Sequence, residues 1–222
     1  MKICFLDNSP IPYTSNDLNS NEIRGAENAV INLSQELVKF KNDVDVFNNC
    51  SSSSIINNVK WNNIKNLNKD KIYDIAFTNN DIRLFDKILA KKYIAFSHSI
   101  QTIEKFIRKR QLISYLKYRP RIVLLGNYHN KKRNFLLKIF GSINLQWAVD
   151  PIFLDTNLDE SVIENRAIFT SRRDRNLDIL VKIWKGRVFQ KNKLIKLFIT
   201  PSDLIDNNFN IFSRDFGDKK SM

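Results

Sequence analysis

Lys2-Ile3-Cys4-Phe5-Leu6 and Val44-Asp45-Val46-Phe47 bracket a segment in which Ala26, Ala29, Val30, Leu33, Leu37 and Phe40 recur at helical spacing. The two flanking runs are short and apolar, as expected for strands buried on both faces. The segment between them has one apolar stripe, as expected for a helix packed on a sheet. Strand, helix, strand within about 45 residues predicts a βαβ unit, which implies a right-handed crossover and a parallel sheet.

Working outward, the alternation continues. A weak strand is expected near Ile55–Val59, in a polar, Asn-rich stretch. Strands follow at Tyr73–Phe77, Tyr93–Phe96, Ile122–Leu125 and Asn144–Val149. Helices are expected at Ile82–Leu89, Ile103–Tyr118 and Lys131–Phe140. The pattern predicts a Rossmann-like, doubly wound α/β domain over residues 1–154. Residues 155–165 are acidic and unpatterned and read as a linker. The alternation then restarts with a strand at Ala167–Phe169, a helix at Leu177–Trp184, a strand at Lys196–Ile199 and a further strand near Phe209–Phe212. Residues 166–222 therefore read as a partial second α/β unit, too small to close a core of its own.

The composition is that of a globular chain, with 43% hydrophobic and 27% charged residues. The formal charge of +13 favours anionic partners such as nucleic acid, anionic lipid or phosphorylated ligands. The abundance of Asn, Lys and Ile with only five Gly and five Pro is also what AT-rich codons supply, and that alternative stays open. Cys4 reads as a small core residue and Cys50 as part of a polar loop; neither has metal-ligand or disulfide spacing. No run approaches the roughly 18 apolar residues of a membrane span. Met1-Lys2 leads straight into a strand, so no secretory signal is expected and the compartment is read as cytoplasmic.

Open parallel sheets bind ligands at the carboxyl ends of their strands, and four segments are expected there or near it. Arg24-Gly25-Ala26-Glu27 opens the first helix, where free N–H groups attract anions and glycine permits close approach; it is equally an ordinary helix start. Ser97-His98-Ser99 follows the Tyr93–Phe96 strand, so His98 can donate to a phosphate or exchange a proton; the alternative is a loop histidine bonded to backbone. His129, after the next strand, is the lesser candidate. Ser171-Arg172-Arg173-Asp174-Arg175-Asn176-Leu177 lies between a strand and a helix and can hold a diphosphate, or be a solvated basic turn. In Lys105–Arg121 and the residues just before it, Ile103, Phe106, Ile107, Ile113 and Leu116 can line one face, with positive charge from Lys105, Arg108, Lys109 and Arg110, which suits either a helix packed on the sheet or one lying on anionic lipid.

In this order and spacing, these segments resemble the family 4 glycosyltransferases of the GT-B fold, over most of the chain. Ile3–Leu6 with Arg24-Gly25-Ala26-Glu27 looks like that family's first strand and Gly-Gly-x-Glu helix start. Ala95-Phe96-Ser97-His98 is similar to its strand ending in a histidine on the active-site side. Gln146–Phe153 resembles the segment closing its N-terminal domain, and Phe169–Leu177 the turn opening its donor-binding domain. The resemblance implies two Rossmann-like domains with a cleft between them. It implies that Arg172 and Arg175 hold the diphosphate of a nucleotide-sugar donor, that Gly25 lines the cleft on the acceptor side, and that His98 is the catalytic-side residue facing the acceptor or transferred sugar. The implied partners are a nucleotide-sugar and a glycan or lipid-linked acceptor in cell-surface polysaccharide synthesis, with peripheral contact to the inner membrane face, no metal, no further cofactor and no nucleic acid.

Two features depart from the family pattern. Arg24 and Asn176 stand where glycine is usual, and no Glu-x7-Glu pair, which would bind the donor sugar and ribose, follows the second unit's strands. A catalytically inactive, truncated remnant or binding subunit is therefore the competing expectation. A basic nucleic-acid binder is a third, without a helix-turn-helix, zinc or RNP-type signal to support it.

Overall fold

The computed structural model describes residues 1–18, 23–146, 148, 165–171 and 175–199. The chain divides into two units, Met1–Val149 and Asp150–Met222. The first is an α/β unit built on an eight-stranded, mainly parallel sheet. Its strands are β1 (Lys2–Asp7), β2 (Asp43–Asn48), β3 (Ser54–Ile56), β4 (Val59–Asn63), β5 (Ile72–Asn79), β6 (Leu89–Ser97), β7 (Arg121–Leu124) and β8 (Ser142–Asn144), in the order β3-β4-β2-β1-β5-β6-β7-β8. All pairs are parallel except β3 with β4.

The alternation along β1 shows why the sheet is covered twice. Ile3 and Phe5 enter a cluster with Val30 and Ile31 of α1 (Gly25–Lys39). Cys4 and Leu6 enter the opposite cluster with Phe106 of α2 (Ile103–Arg108) and Tyr115 of α3 (Leu112–Tyr118). Successive side chains of a strand face opposite sides, so helices lie on both faces and the doubly wound expectation holds. Cys4 is fully buried, as expected, and burial pushes its thiol well above the usual range. Cys50, expected in a polar loop, is also buried, because Asn48 and Asn63 fold its backbone inward by hydrogen bonds.

Several expected elements are redrawn. The weak strand at Ile55–Val59 is a two-residue hairpin: Asn57 and Asn58, at φ 52° and 60°, turn β3 onto β4. Both central residues of such a turn need positive φ, which asparagine tolerates. The expected helix Ile82–Leu89 is a 3-10 segment, Ile82–Lys87, and Leu89 already belongs to β6. The expected helix Ile103–Tyr118 is two helices. Gln111 N–H bonds the Phe106 carbonyl and Arg110 N–H that of Ile107, with Arg110 at φ 54°. That is a Schellman stop in which arginine takes the position usually given to glycine, so composition concealed it. Lys131–Phe140 is likewise split into α4 (Asn127–Lys132) and a 3-10 turn, Phe135–Lys138. Of the last strand, expected at Asn144–Val149, Asn144 ends β8 (Ser142–Asn144), and residues 147 and 149 lie outside the described residues.

In the second unit, β9 (Arg166–Phe169) and β10 (Lys196–Ile199) pair in parallel. They are joined through α5 (Leu177–Ile183), a π-helical turn Trp184–Val188 and α6 (Phe189–Lys191). The strand expected at Phe209–Phe212 and the linker through residue 164 lie outside the described residues. No helix among the described residues is long and apolar enough to cross a membrane.

Candidate functional site

From β1 the chain runs out through α1 to β2 on one side, while β5 and the strands after it build the other side. The connections after β1 and β5 therefore diverge, leaving a crevice at their carboxyl ends, the usual ligand position in an open α/β sheet. A cleft of about 600 Å³ occupies it, within the size range of small-molecule sites. Asp7, Ser9, Ala26, Glu27, Asn79 and Asn80 line its floor side.

The floor is a connected polar network. The buried Asp7 carboxylate accepts from the Tyr13 hydroxyl at 2.6 Å, the Asn79 amide at 2.9 Å and the Ser9 backbone N–H at 3.0 Å. Burial raises the Asp7 pKa, and these three donors pull against the rise. Burial, then the negative charge of Asp7, pushes the Tyr13 phenol well above its usual range, so the tyrosine stays a donor. Asn79 gives its amide hydrogens to Asp7, which leaves its carbonyl oxygen facing His98 Nε2 at 2.7 Å. That arrangement assigns the proton to Nε2 and makes Nδ1 the acceptor of the neutral ring. Desolvation lowers the His98 pKa, and the charge of Glu27 only partly restores it. Tyr13, Asp7, Asn79 and His98 thus form one chain across β1, β5 and the end of β6.

Glu27 stands in the first turn of α1, where the helix dipole favours a carboxylate. The Ser9 hydroxyl donates to its Oε1 at 2.6 Å. Its Oε2 is buried with no hydrogen-bond partner, although Glu27 lines the cleft. An unsatisfied buried carboxylate oxygen on a cleft wall is an acceptor waiting for a donor. Beside it, Arg24 precedes α1 without any side-chain cap, so the first-turn amides keep their donor capacity. Gly25 opens the helix, and a Cβ there would meet no atom within 4 Å.

The rim is cationic. Arg24, Arg108, Lys109 and Arg110 line the cleft and have no acidic partner among the described residues, whereas Arg83 forms a bidentate pair with Asp81. Gln111 holds the rim to the floor by donating to the Asn80 carbonyl at 3.0 Å. The site therefore offers positive charge around buried acceptors, which suits a ligand carrying both an anionic group and hydroxyls.

Of the residues singled out in the sequence, His98 belongs to this network, and Gly25 sits beside it. His129 lies on α4, half-buried and edge-on to Tyr128, outside the cleft lining. Arg172 lies outside the described residues. Arg175 is exposed in the turn ahead of α5 in the second unit. Asn176 takes φ 63°, a left-handed conformation that explains why asparagine serves where the resembling family has glycine. Sequence reasoning missed Asp7, Tyr13 and Asn79. The available signal was the pair of polar clusters, Asp7-Asn8-Ser9 and Asn79-Asn80-Asp81, each directly after an apolar strand. Compared with known proteins, the chain matches no family model and no curated protein.

Proposed function

We propose that the chain is a glycosyltransferase-type protein of the GT-B kind, transferring a sugar from a nucleotide-sugar to a glycan or lipid-linked acceptor in cell-surface polysaccharide synthesis, on the cytoplasmic side of the inner membrane. The observation that carries this reading is the switch-point cleft, whose lining joins the cations Arg24, Arg108, Lys109 and Arg110 to the buried carboxylates Asp7 and Glu27, with His98 bonded behind it to the lining residue Asn79. Phosphate groups of a sugar-bearing ligand fit the rim, and a sugar hydroxyl can donate to Glu27 Oε2.

In the reaction, the acceptor hydroxyl oxygen bonds to the anomeric carbon while the bond to the diphosphate breaks. The diphosphate leaves with the electron pair, and the acceptor proton must pass to a base. His98, whose pKa is lowered by burial, is the residue whose chemistry suits that base. Separately, the resemblance implies that Arg172 and Arg175 of the second unit bind the diphosphate of a nucleotide-sugar. Calorimetric titration with a panel of nucleotide-sugars, together with nucleotide release in the presence of a lipid-linked acceptor, tests the reading. Arg175→Ala is expected to weaken nucleotide-sugar binding, and His98→Gln to slow release while leaving that binding intact. No binding by any member of the panel refutes it. A second reading is a binding subunit that holds the ligand without turning it over. Binding without acceptor-dependent release identifies that case.

A further inference from the structure

Asp7, Asn79 and His98 stand at one level of the sheet. Asp7 ends β1 and Asn79 ends β5, and the two are partners in the parallel register. Asn79 is also the register partner of Phe96 in β6, and His98 follows the last residue of that strand. The carboxyl ends of three adjacent strands thus supply one side chain each, and those of Asp7 and Asn79 are buried.

Every bond in this row has a direction. An ionised carboxylate only accepts, a primary amide has one accepting and one donating end, and a neutral imidazole has one nitrogen of each kind. Tyr13, Asn79 and the Ser9 backbone all donate to Asp7, and three donors favour its charged form. The donating end of Asn79 is therefore turned to β1 and its oxygen to His98. Asn80 supports the same orientation. Its amide donates to Asn79 Oδ1 at 3.3 Å, while its own oxygen accepts the His98 backbone N–H at 3.4 Å. Turning the Asn79 amide over would set oxygen against oxygen at Asp7 and N–H against N–H at Asn80.

We propose that Asp7 is a positioning residue for His98: through the Asn79 amide, its carboxylate decides which imidazole nitrogen carries the proton. The carboxylate orients the amide, the amide oxygen calls for a donor, and the Nε2 proton supplies it. Asp7→Asn reverses these directions. The oxygen of the new side chain stays with the Ser9 backbone N–H, and its nitrogen takes the place of Oδ2, facing Asn79. The Asn79 amide then turns over, offers N–H to the ring, and the ring proton moves to Nδ1. The nitrogen that keeps its lone pair is the one able to accept a proton, so, on the transferase reading, Asp7 selects the basic side of His98 without touching the reacting atoms.

The test is nitrogen–proton correlation NMR of the imidazole rings in the full chain, above the ordinary histidine pKa of 6.5, where the two tautomers give distinct nitrogen shifts. The chain has two histidines, so His129→Gln assigns the signals and His129 serves as the internal reference. In the wild type the Nε2–H form of His98 is expected to exceed the Nδ1–H form by at least about ten-fold, as one charge-assisted bond against a neutral one supplies. An excess of the Nδ1–H form overturns the proposal, whatever the variants do. Asp7→Asn is expected to bring the Nδ1–H form to about half or more, and an unchanged ratio overturns it. Tyr13→Phe takes a donor from Asp7 but leaves its charge, so the wild-type ratio is expected; a shift as large as that of Asp7→Asn reports general loosening and overturns it. In an Asn79→Ala background, Asp7→Asn is expected to have no effect on the tautomer, and a remaining effect shows that Asp7 acts by another route.

Acceptor-dependent nucleotide release adds a kinetic readout. Asp7→Asn is expected to lower kcat at least about ten-fold with KM for the nucleotide-sugar held within about two-fold. The opposite split, with KM raised and kcat held, makes Asp7 a direct ligand contact and overturns the positioning role. The NMR arm needs no sugar or nucleotide. A chain that binds no nucleotide-sugar refutes the transferase reading alone, and a tautomer indifferent to Asp7→Asn refutes the relay alone.

Discussion

Glu27→Gln separates the fold from the ligand at one atom. In the wild type, Glu27 Oε1 accepts from the Ser9 hydroxyl, and Oε2 is buried without a partner. Glutamine keeps the acceptor for Ser9, but the bond falls from charge-assisted to neutral, a loss of about 1 kcal/mol. The new amide nitrogen replaces Oε2 as an unpaired buried group, costing about 1–3 kcal/mol. Against both stands the relief of no longer burying a half-satisfied charge, which is several kcal/mol in a folded protein. The balance is a stabilisation of about 1 kcal/mol, equivalent to a Tm rise of roughly 2–4 °C for a unit near 150 residues. The same change removes a charged acceptor for a ligand hydroxyl, a loss of about 1.5–3 kcal/mol, or roughly ten- to 150-fold in affinity. Thermal unfolding followed by circular dichroism, and calorimetric titration with the nucleotide-sugar panel and sugar 1-phosphates, read the two effects separately. A lower Tm, or unchanged affinity for every probe that binds the wild type, refutes the reasoning.

Three other changes test neighbouring features. Gly25→Ala adds a methyl group in open space at a helical position, so stability should hold or rise by up to about 1 kcal/mol; a ten-fold loss of phosphate-probe affinity alongside it places the ligand against the first-turn amides, and unchanged affinity removes them from the site. The His98 pKa is lowered, so its contribution to stability is present above the ordinary histidine value of 6.5 and is lost as pH falls through the lower folded value; urea unfolding across that range should show a smaller acid loss in His98→Gln than in the wild type. Asn58→Gly relieves the left-handed conformation at φ 60° in the β3–β4 turn and should raise stability by about 0.5–1 kcal/mol in the same unfolding assay.

Much of the sheet was legible because the period of its apolar residues is unambiguous. Ile3–Leu6, Val44–Phe47 and Tyr73–Phe77 all lie within observed strands; the first is wholly apolar and each of the others carries a single aspartate among apolar residues. The helix stops were less visible. Arg110 and Arg119 end α2 and α3 at positive φ where glycine would have signalled the turn, and a chain with five glycines has to use other residues there. The site was half legible. His98 was found because histidine is rare and stands at a strand end. Asp7, Tyr13 and Asn79 were not, because their roles depend on β1 lying next to β5, a pairing between residues about 70 positions apart that local pattern does not encode.

That long-range pairing has a consequence for how the chain is made. β1 is one of the two central strands, flanked by β2 and β5. Ile3 pairs with Val44 on one side but with Ile75 on the other. At synthesis rates of roughly 5–20 residues per second, the partner on the second side emerges about 4–14 s after β1 itself. Throughout that interval Ile3, Cys4, Phe5 and Leu6 form an apolar strand with an open edge in the nascent chain. The one antiparallel pair among the described residues, β3 with β4, closes locally and needs no such delay. A strand enclosed on both edges in the finished molecule is therefore the one whose second edge waits longest while it is being built.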